Sequence, residues 1–121
     1  MPGMDFRDGL RAHLAAIEAR DIEGFAATVS RDPDARVVGP DGTATIGYDA
    51  IVAAHRDWFA SEQDWAFEPR MVFFRSCDAV GFALLDVDYR QNNSQRRFML
   101  SLLFTYEDDA WKLLYDQNTS A

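Results

Sequence analysis

The chain has 121 residues and a formal net charge of −8, from 20 acidic and 12 basic side chains. This length corresponds to one ordinary domain, so the sequence predicts a single domain over residues 1–121 with one hydrophobic core. Hydrophobic residues make up 48% of the chain, which is enough for such a core without metal ions or disulfides. The acidic balance repels phosphate groups, so no nucleic-acid partner is expected.

The cellular location is predicted from the absence of targeting signals. Residues 1–8 contain no apolar run of the kind found in signal peptides, and no later segment is long enough to span a bilayer. Because Cys77 is the single cysteine, no internal disulfide can form, which suits a reducing compartment. These features predict a cytoplasmic protein without membrane contact.

Three helices are predicted in the first half of the chain. Apolar residues recur at helical spacing from Phe6 to Ile17, and Asp5 is placed to cap this first helix. Asp21 can cap a second, shorter helix. A third helix begins near Tyr48. One side of this third helix carries Ile51, His55, Trp58 and Phe59.

The remaining segments predict β-strands. Residues 31–42 have turn residues at both ends and a β-branched centre, which indicates a loop and a brief edge strand. From Ala66 onward the apolar residues alternate, and three polar turns divide this region into a four-stranded meander. Pro69 cannot donate a ladder hydrogen bond, so its strand is expected to be bulged or at an edge. The turns fall near residues 75–78, 91–95 and 107–110.

The alternation gives the meander two faces. On the last strand, the face predicted to meet the helices carries Leu114, Asp116 and Asn118. The opposite face has apolar residues that three helices cannot also cover, and a homodimer formed back to back through the sheets would cover them. The residues assigned to this dimer surface are Leu103, Trp111, Leu113 and Tyr115.

The order of elements and three segments resemble the nuclear transport factor 2-like superfamily, in particular its SnoaL-like and ketosteroid-isomerase-like members. The segments are HLAAIEARD at 13–21, GYDAI at 47–51 and WKLLYDQNT at 111–119. The resemblance implies an α+β, cystatin-like cone in which a curved antiparallel sheet wraps around three helices. It also implies a dimer and a pocket, floored by the sheet, for a small hydrophobic organic molecule.

The same resemblance argues against the mechanism of the steroid isomerases. The position of their first-helix phenol is His13 here, their neutral strand acid corresponds to Leu102, and their base corresponds to Gly39. Two of these three roles are vacant, so that mechanism is not expected. The SnoaL-like cyclases have an acidic residue late in the final strand, and Asp116 matches it.

Polar residues predicted to point into the apolar interior form the candidate site. Asp116 with His13 or His55 can act in acid and base catalysis, because burial and the interaction of the two groups with each other can shift their pKa values toward neutral pH. The structural alternative is that each histidine is a core residue bonded to the backbone, while Asp116 pairs within the sheet. The predicted ligand contacts are Asn118, Tyr48, Trp58, Tyr89 and Leu102.

Metal and cofactor motifs are absent from the sequence. Asp86 and Asp88 share a strand face, but two carboxylates alone make a weak cation site, and both are assigned to the surface. Zinc-protease, paired-cysteine, phosphate-loop and nucleophile-elbow patterns do not occur. The sequence therefore predicts neither a metal nor a cofactor.

Three functions remain open from the sequence. The first is an enzyme that isomerises, cyclises, dehydrates or hydrolyses a small hydrophobic molecule, with Asp116 and a histidine as its acid and base. The second is a non-catalytic ligand-binding protein with an apolar cup. The third is a dimeric scaffold whose cavity is filled.

Overall fold

A computed structural model describes residues 4–62 and 64–121. Residues 1–3 and Gln63 lie outside the described residues. The prediction that residues 1–8 are not a signal peptide therefore falls partly on this undescribed segment. The described elements are α1 (Phe6–Glu18), α2 (Ile22–Ala26), β1 (Arg36–Val38), β2 (Ala44–Ile46), α3 (Tyr48–Phe59), β3 (Trp65–Cys77), β4 (Val80–Gln91), β5 (Ser94–Glu107) and β6 (Ala110–Ser120). Within the described chain, every helix is too short or too polar to cross a membrane.

The helices begin at the residues that the capping pattern predicts. Asp5 caps α1, and the side chain of Asp21 accepts a hydrogen bond from the Gly24 amide to cap α2. The third helix starts at Tyr48, directly after Gly47, whose φ of 94° lies in the region that favours glycine. The residue that precedes each helix therefore determines where that helix begins.

The predicted α+β cone is confirmed, with three helices packed on one face of a curved, unclosed sheet. The strand order is β2-β1-β6-β5-β4-β3, and β3 to β6 form the predicted antiparallel meander. The strand that contains Pro69 lies at the sheet edge, and its pairing with β4 shifts between Met71 and Phe73. This placement agrees with the expectation for a proline in a strand.

The short strand predicted within residues 31–42 is present, but it is not at the edge. β1 pairs in parallel with β6 and antiparallel with β2, and β2 forms the edge instead. The hairpin that joins β1 to β2 is closed by a hydrogen bond from the Gly39 amide to the Thr43 carbonyl, 2.9 Å long. β2 has three residues, too few for alternation to reveal it in the sequence.

The last strand corrects part of the predicted dimer surface. Leu103 pairs with Tyr115, whereas Phe104 pairs with Leu113, so Leu114 is an extra residue on β6. This bulge reverses the alternation, because one inserted residue exchanges the two faces of a strand.

As a result, Trp111 and Leu113 belong to the core, where they are 6% and 1% exposed, and the prediction that they face outward is wrong. Trp111 packs against α1 at Gly9, where an added Cβ would lie 2.8 Å from the tryptophan Cβ. Its indole Nε1 donates to the Met4 carbonyl oxygen. Leu103 and Tyr115 remain half-exposed on the outer face.

Candidate functional site

A cavity of about 340 Å³ lies between the helices and the inner face of the sheet. The helices contribute Ile17, His55 and Trp58 to its wall, and β6 contributes Asp116 and Asn118. The other lining side chains are Val37, Phe67, Tyr89, Gln91, Arg96, Phe98 and Leu100. Its volume lies near the lower end of the ~300–1,000 Å³ typical of ligand sites, so it suits a small molecule.

Asp116 and Asn118 form the polar end of this cavity. The two side chains point to the same side of β6, where Asp116 lies opposite Leu102 and Asn118 lies opposite Leu100. The Asn118 amide nitrogen donates to the Asp116 carboxyl at 3.0 Å and to the Val38 carbonyl oxygen at 3.1 Å. This second bond to β1 fixes the orientation of the amide and, through it, that of the acid.

The electrostatic environment of Asp116 is unusual for an aspartate. Its side chain is buried, and burial raises its pKa from 3.8 to about 7, although the hydrogen bond from Asn118 opposes this rise. Near neutral pH the carboxyl group is therefore divided between its protonated and ionised forms. A group in that state can both take and return a proton.

His55 lines the same cavity and has one unprotonated ring nitrogen. Its Nδ1 lies 2.8 Å from the Ile51 carbonyl oxygen, which can only accept, so Nδ1 carries the hydrogen. Burial lowers the pKa of His55, so the imidazole is neutral and Nε2 is an acceptor. Among the described residues, the hydrogen bond of the His55 side chain is the one at Nδ1. The ring stacks on Phe25 at a centroid distance of 4.1 Å, which holds its plane in place.

Trp58 and Tyr89 form an aromatic wall of the cavity. The Trp58 indole Nε1 donates to the Tyr89 hydroxyl oxygen at 3.0 Å, and the two rings lie 6.0 Å apart. Trp65 stacks behind Trp58 at a centroid distance of 4.4 Å. Because the Tyr89 oxygen accepts from the indole, its own proton is available to a ligand.

The structure brings five of the eight predicted site residues to the cavity wall and places three elsewhere. Leu102 is fully buried in the sheet opposite Asp116. Tyr48 lies at a separate hollow beside α2, where the guanidinium of Arg31 stacks on its ring at 3.7 Å. His13 is fully buried in the core and does not line the cavity.

His13 has the environment of a core histidine. The Thr28 hydroxyl donates to the Phe25 carbonyl oxygen, so it accepts from His13 Nδ1, 2.8 Å away. This leaves Nε2 as a buried acceptor without a partner among the described residues. Burial and the nearby His55 lower the pKa of His13 to about 3.

Several lining residues were not among the sequence candidates, above all Arg96 and Gln91 at the polar rim of the cavity. Arg96 shares the inner face of β5 with Phe98, Leu100 and Leu102, at the same period of two. Extending that alternation by one step would have placed Arg96 inside. Polar residues near a hairpin turn are usually solvated, which is why the pattern alone did not single it out.

Two other regions lack the chemistry of this cavity. A surface hollow of about 570 Å³ beside α1 and α2 is larger, but its charged groups are engaged: Asp21 caps α2, and Lys112 Nζ donates to the Ala27 carbonyl oxygen. On the outer sheet face, Asp86 is covered by Arg70 and Arg97, whose hydrogen bonds lower its pKa.

Asp86 is thus a buried ion-pair partner, a correction to its predicted surface position. Within residues 4–62 and 64–121, no three His, Cys, Asp or Glu side chains form a group that could hold a metal ion.

Solved structures with this architecture come from several bacteria. A protein provisionally described as a calcium/calmodulin-dependent protein kinase type II association domain, from Thiobacillus denitrificans, has 18% identity and a TM-score of 0.81 over 95% of this chain and 94% of its own. An NTF2-like protein of unknown function from Shewanella oneidensis has 14% identity and a TM-score of 0.80 over 95% and 96%. A protein provisionally described as a dehydratase of the NTF2-like family, from Streptomyces avermitilis, has 11% identity and a TM-score of 0.79 over 96% and 94%.

At these identities the likeness to solved structures shows the fold alone. A search of curated proteins gave no match. The family model of the SnoaL-like domain matches residues 7–118, which include nearly all of the three helices and of the sheet. The chain therefore belongs to the SnoaL-like domain family.

Proposed function

We propose that the chain is an enzyme that moves a proton within a small hydrophobic organic molecule bound in the 340 Å³ cavity. The observation that carries this proposal is the burial of Asp116 at the cavity wall, with a pKa raised to about 7. A carboxyl group with that pKa is matched to general acid and base catalysis near neutral pH. The fixed orientation supplied by Asn118 supports the same role.

In the proposed reaction, the Asp116 carboxylate takes a proton from a carbon atom next to a carbonyl group of the substrate. The electron pair of the broken C–H bond moves toward the carbonyl oxygen, and the protonated Asp116 then returns the proton at another atom. The neutral Nε2 of His55 accepts a hydrogen bond from a substrate hydroxyl group and so orients the substrate. Isomerisation, cyclisation and dehydration all contain such a step.

A ligand-binding protein without turnover is the second candidate. The aromatic wall formed by Trp58 and Tyr89, together with Phe67 and Phe98, supports tight packing on a flat ligand whether or not it reacts. Such a protein would gain thermal stability from its ligand and form no product.

The two candidates are separated by hydrogen exchange in deuterated water. Small ketones and unsaturated ketones are incubated with the protein, and the loss of the proton signals next to the carbonyl is followed by nuclear magnetic resonance. A proton-transferring enzyme accelerates this exchange above the buffer rate for at least one compound class. Ligands that raise the melting temperature without any accelerated exchange would support the binding protein and contradict the enzyme.

We further infer that two copies associate through the outer sheet face. Phe82, Leu103 and Tyr115 are cross-strand neighbours on that face, and Phe82 is 38% exposed. An apolar row of this kind on a sheet face not covered by helices favours a partner surface.

Leu103→Lys is expected to give a monomer in light scattering at micromolar concentration, because the pairing surfaces would each gain a buried charge. Ala54→Lys, on the exposed side of α3, is the control and should leave the mass of the dimer unchanged. A wild-type protein that is already monomeric at this concentration would contradict the inferred dimer.

A further inference from the structure

Arg96 is a cation held at the mouth of the cavity. It lies on the inner face of β5 and lines both the cavity and two shallow hollows next to it. Its guanidinium carbon lies 5.5 Å from the centre of the ring of Tyr89, its cross-strand partner. This cation–π contact keeps the positive charge beside the opening.

The charge of Arg96 has no counterion among residues 4–62 and 64–121. The neighbouring arginines are paired on the outer face, Arg97 with Asp86 and Arg90 with Glu68. Arg96 forms no ion pair with any of the described residues, although the chain has 20 acidic side chains. A guanidinium that lines a cavity without an internal partner is suited to a carboxylate brought by the ligand.

The cavity separates this cation from Asp116. The residue opposite Asp116 is Leu102, six positions from Arg96 along β5, which corresponds to ~20 Å of strand at ~3.3 Å per residue. Because the arginine side chain is long, the distance between its guanidinium group and the Asp116 carboxyl group is shorter than this backbone distance. A ligand anion at Arg96 therefore stays clear of the Asp116 carboxylate, and the wall between them is apolar, with Phe98 and Leu100.

We propose that the cavity takes a small, flat organic acid whose carboxylate pairs with Arg96 while its apolar body extends toward Asp116. This substrate class rests on the proposed function of the cavity as a small-molecule site. Arg96 then determines specificity by favouring an acid over its neutral analogue. The side-chain amide of Gln91, also at the wall, is available as a second donor to the carboxylate.

Cinnamate and its neutral amide, cinnamamide, are matched probes because they share a flat apolar body and differ in charge. Binding is followed by quenching of tryptophan fluorescence, since Trp58 lines the cavity. The wild-type protein is expected to bind cinnamate about tenfold more tightly than cinnamamide at low salt. Arg96→Gln should abolish this preference and leave the affinity for cinnamamide nearly unchanged.

Arg90→Gln is the matched control, because Arg90 lies on the same β4–β5 hairpin and is exposed like Arg96, but it faces outward and is paired with Glu68. It should retain the preference for the acid. An equal loss of preference in Arg90→Gln and Arg96→Gln would overturn the proposal. No preference in the wild-type protein, or no cinnamate binding at millimolar concentration, would also overturn it.

The outcome is independent of the proposed proton transfer. Asp116→Asn, measured in the same titration, should keep the preference for cinnamate because Asp116 lies at the far end of the cavity. A preserved acid preference together with no hydrogen exchange on any ketone would contradict the enzyme and support the role of Arg96. Accelerated exchange without an acid preference would support the enzyme and contradict the role of Arg96.

Discussion

Replacement of Asp116 by asparagine should lower the turnover of an identified substrate by about 10²–10⁴-fold, the usual contribution of a positioned general base. Asparagine has nearly the same shape and can still accept the hydrogen bond from Asn118, so the cavity should keep its form. In the wild-type enzyme, kcat/KM should rise as the pH increases through about 7, because the base must be ionised. The measurements are steady-state kinetics and a pH profile.

The same substitution should make the protein more stable at alkaline pH. The pKa of Asp116 is about 7 in the folded chain and 3.8 for an aspartate exposed to water, so between these values the folded state binds more protons than the unfolded state. The free energy of unfolding therefore falls as the pH rises from about 4 to about 7, at ~1.4 kcal/mol per pH unit. Asparagine does not ionise, so the stability advantage of Asp116→Asn over wild type should be larger at pH ~8.5 than at pH ~5, by about 3 kcal/mol.

Asp88→Asn is the matched control for both measurements. It removes the same charge from the outer face of β4, away from the cavity. Turnover should be unchanged in this variant, and it should not gain stability selectively at alkaline pH. If Asp116→Asn kept full turnover, the carboxyl group would have no catalytic role and the binding protein would be favoured.

The sequence predicted the fold well because its local signals agree with one another. Asp5 and Asp21 cap the helices at which periodicity begins, and the three polar turns separate the strands of the meander. The inward placement of Asp116 and Asn118 also followed from alternation. These features depend on interactions between residues that are close in the sequence. Such local patterns can be recognised in a single sequence.

The parts that could not be predicted depend on tertiary geometry. The bulge at Leu114 exchanges the faces of β6, but Trp111, Leu113 and Leu114 are all apolar, so either phase satisfies the hydrophobic pattern. His13 and His55 are likewise both on inward helix faces. Their difference arises from packing: both rings contact Phe25, at 5.3 Å from His13 and 4.1 Å from His55, but only His55 of the two lines the cavity.

Replacement of His13 by leucine should leave turnover unchanged and make the protein markedly more resistant to acid. His13 does not line the cavity, so its loss removes no group that could contact the substrate. Leucine gives up the hydrogen bond to Thr28 but also removes the buried, unpartnered Nε2. These changes oppose each other, so stability at pH ~7 should change by no more than ~1 kcal/mol.

At acid pH the two proteins should differ strongly. The pKa of His13 is about 3 in the folded chain and 6.5 for a histidine exposed to water, so between these values the unfolded chain binds a proton that the folded chain does not. The wild-type free energy of unfolding should fall by ~1.4 kcal/mol per pH unit from this residue, or ~2–3 kcal/mol by pH ~4.5. His13→Leu should not show this part of the loss in urea titrations at the two pH values.

His55→Gln distinguishes the roles of the two histidines. Its imidazole lines the cavity, so this variant should lose turnover, whereas His13→Leu should not. The pKa of His55 is also lowered by burial, so some acid resistance is expected here as well. If His13→Leu lost turnover but kept its melting temperature, the packing role of His13 would be contradicted and its imidazole would act on the substrate. A residue that only packs in the core changes the rate through the stability of the protein or the shape of the cavity.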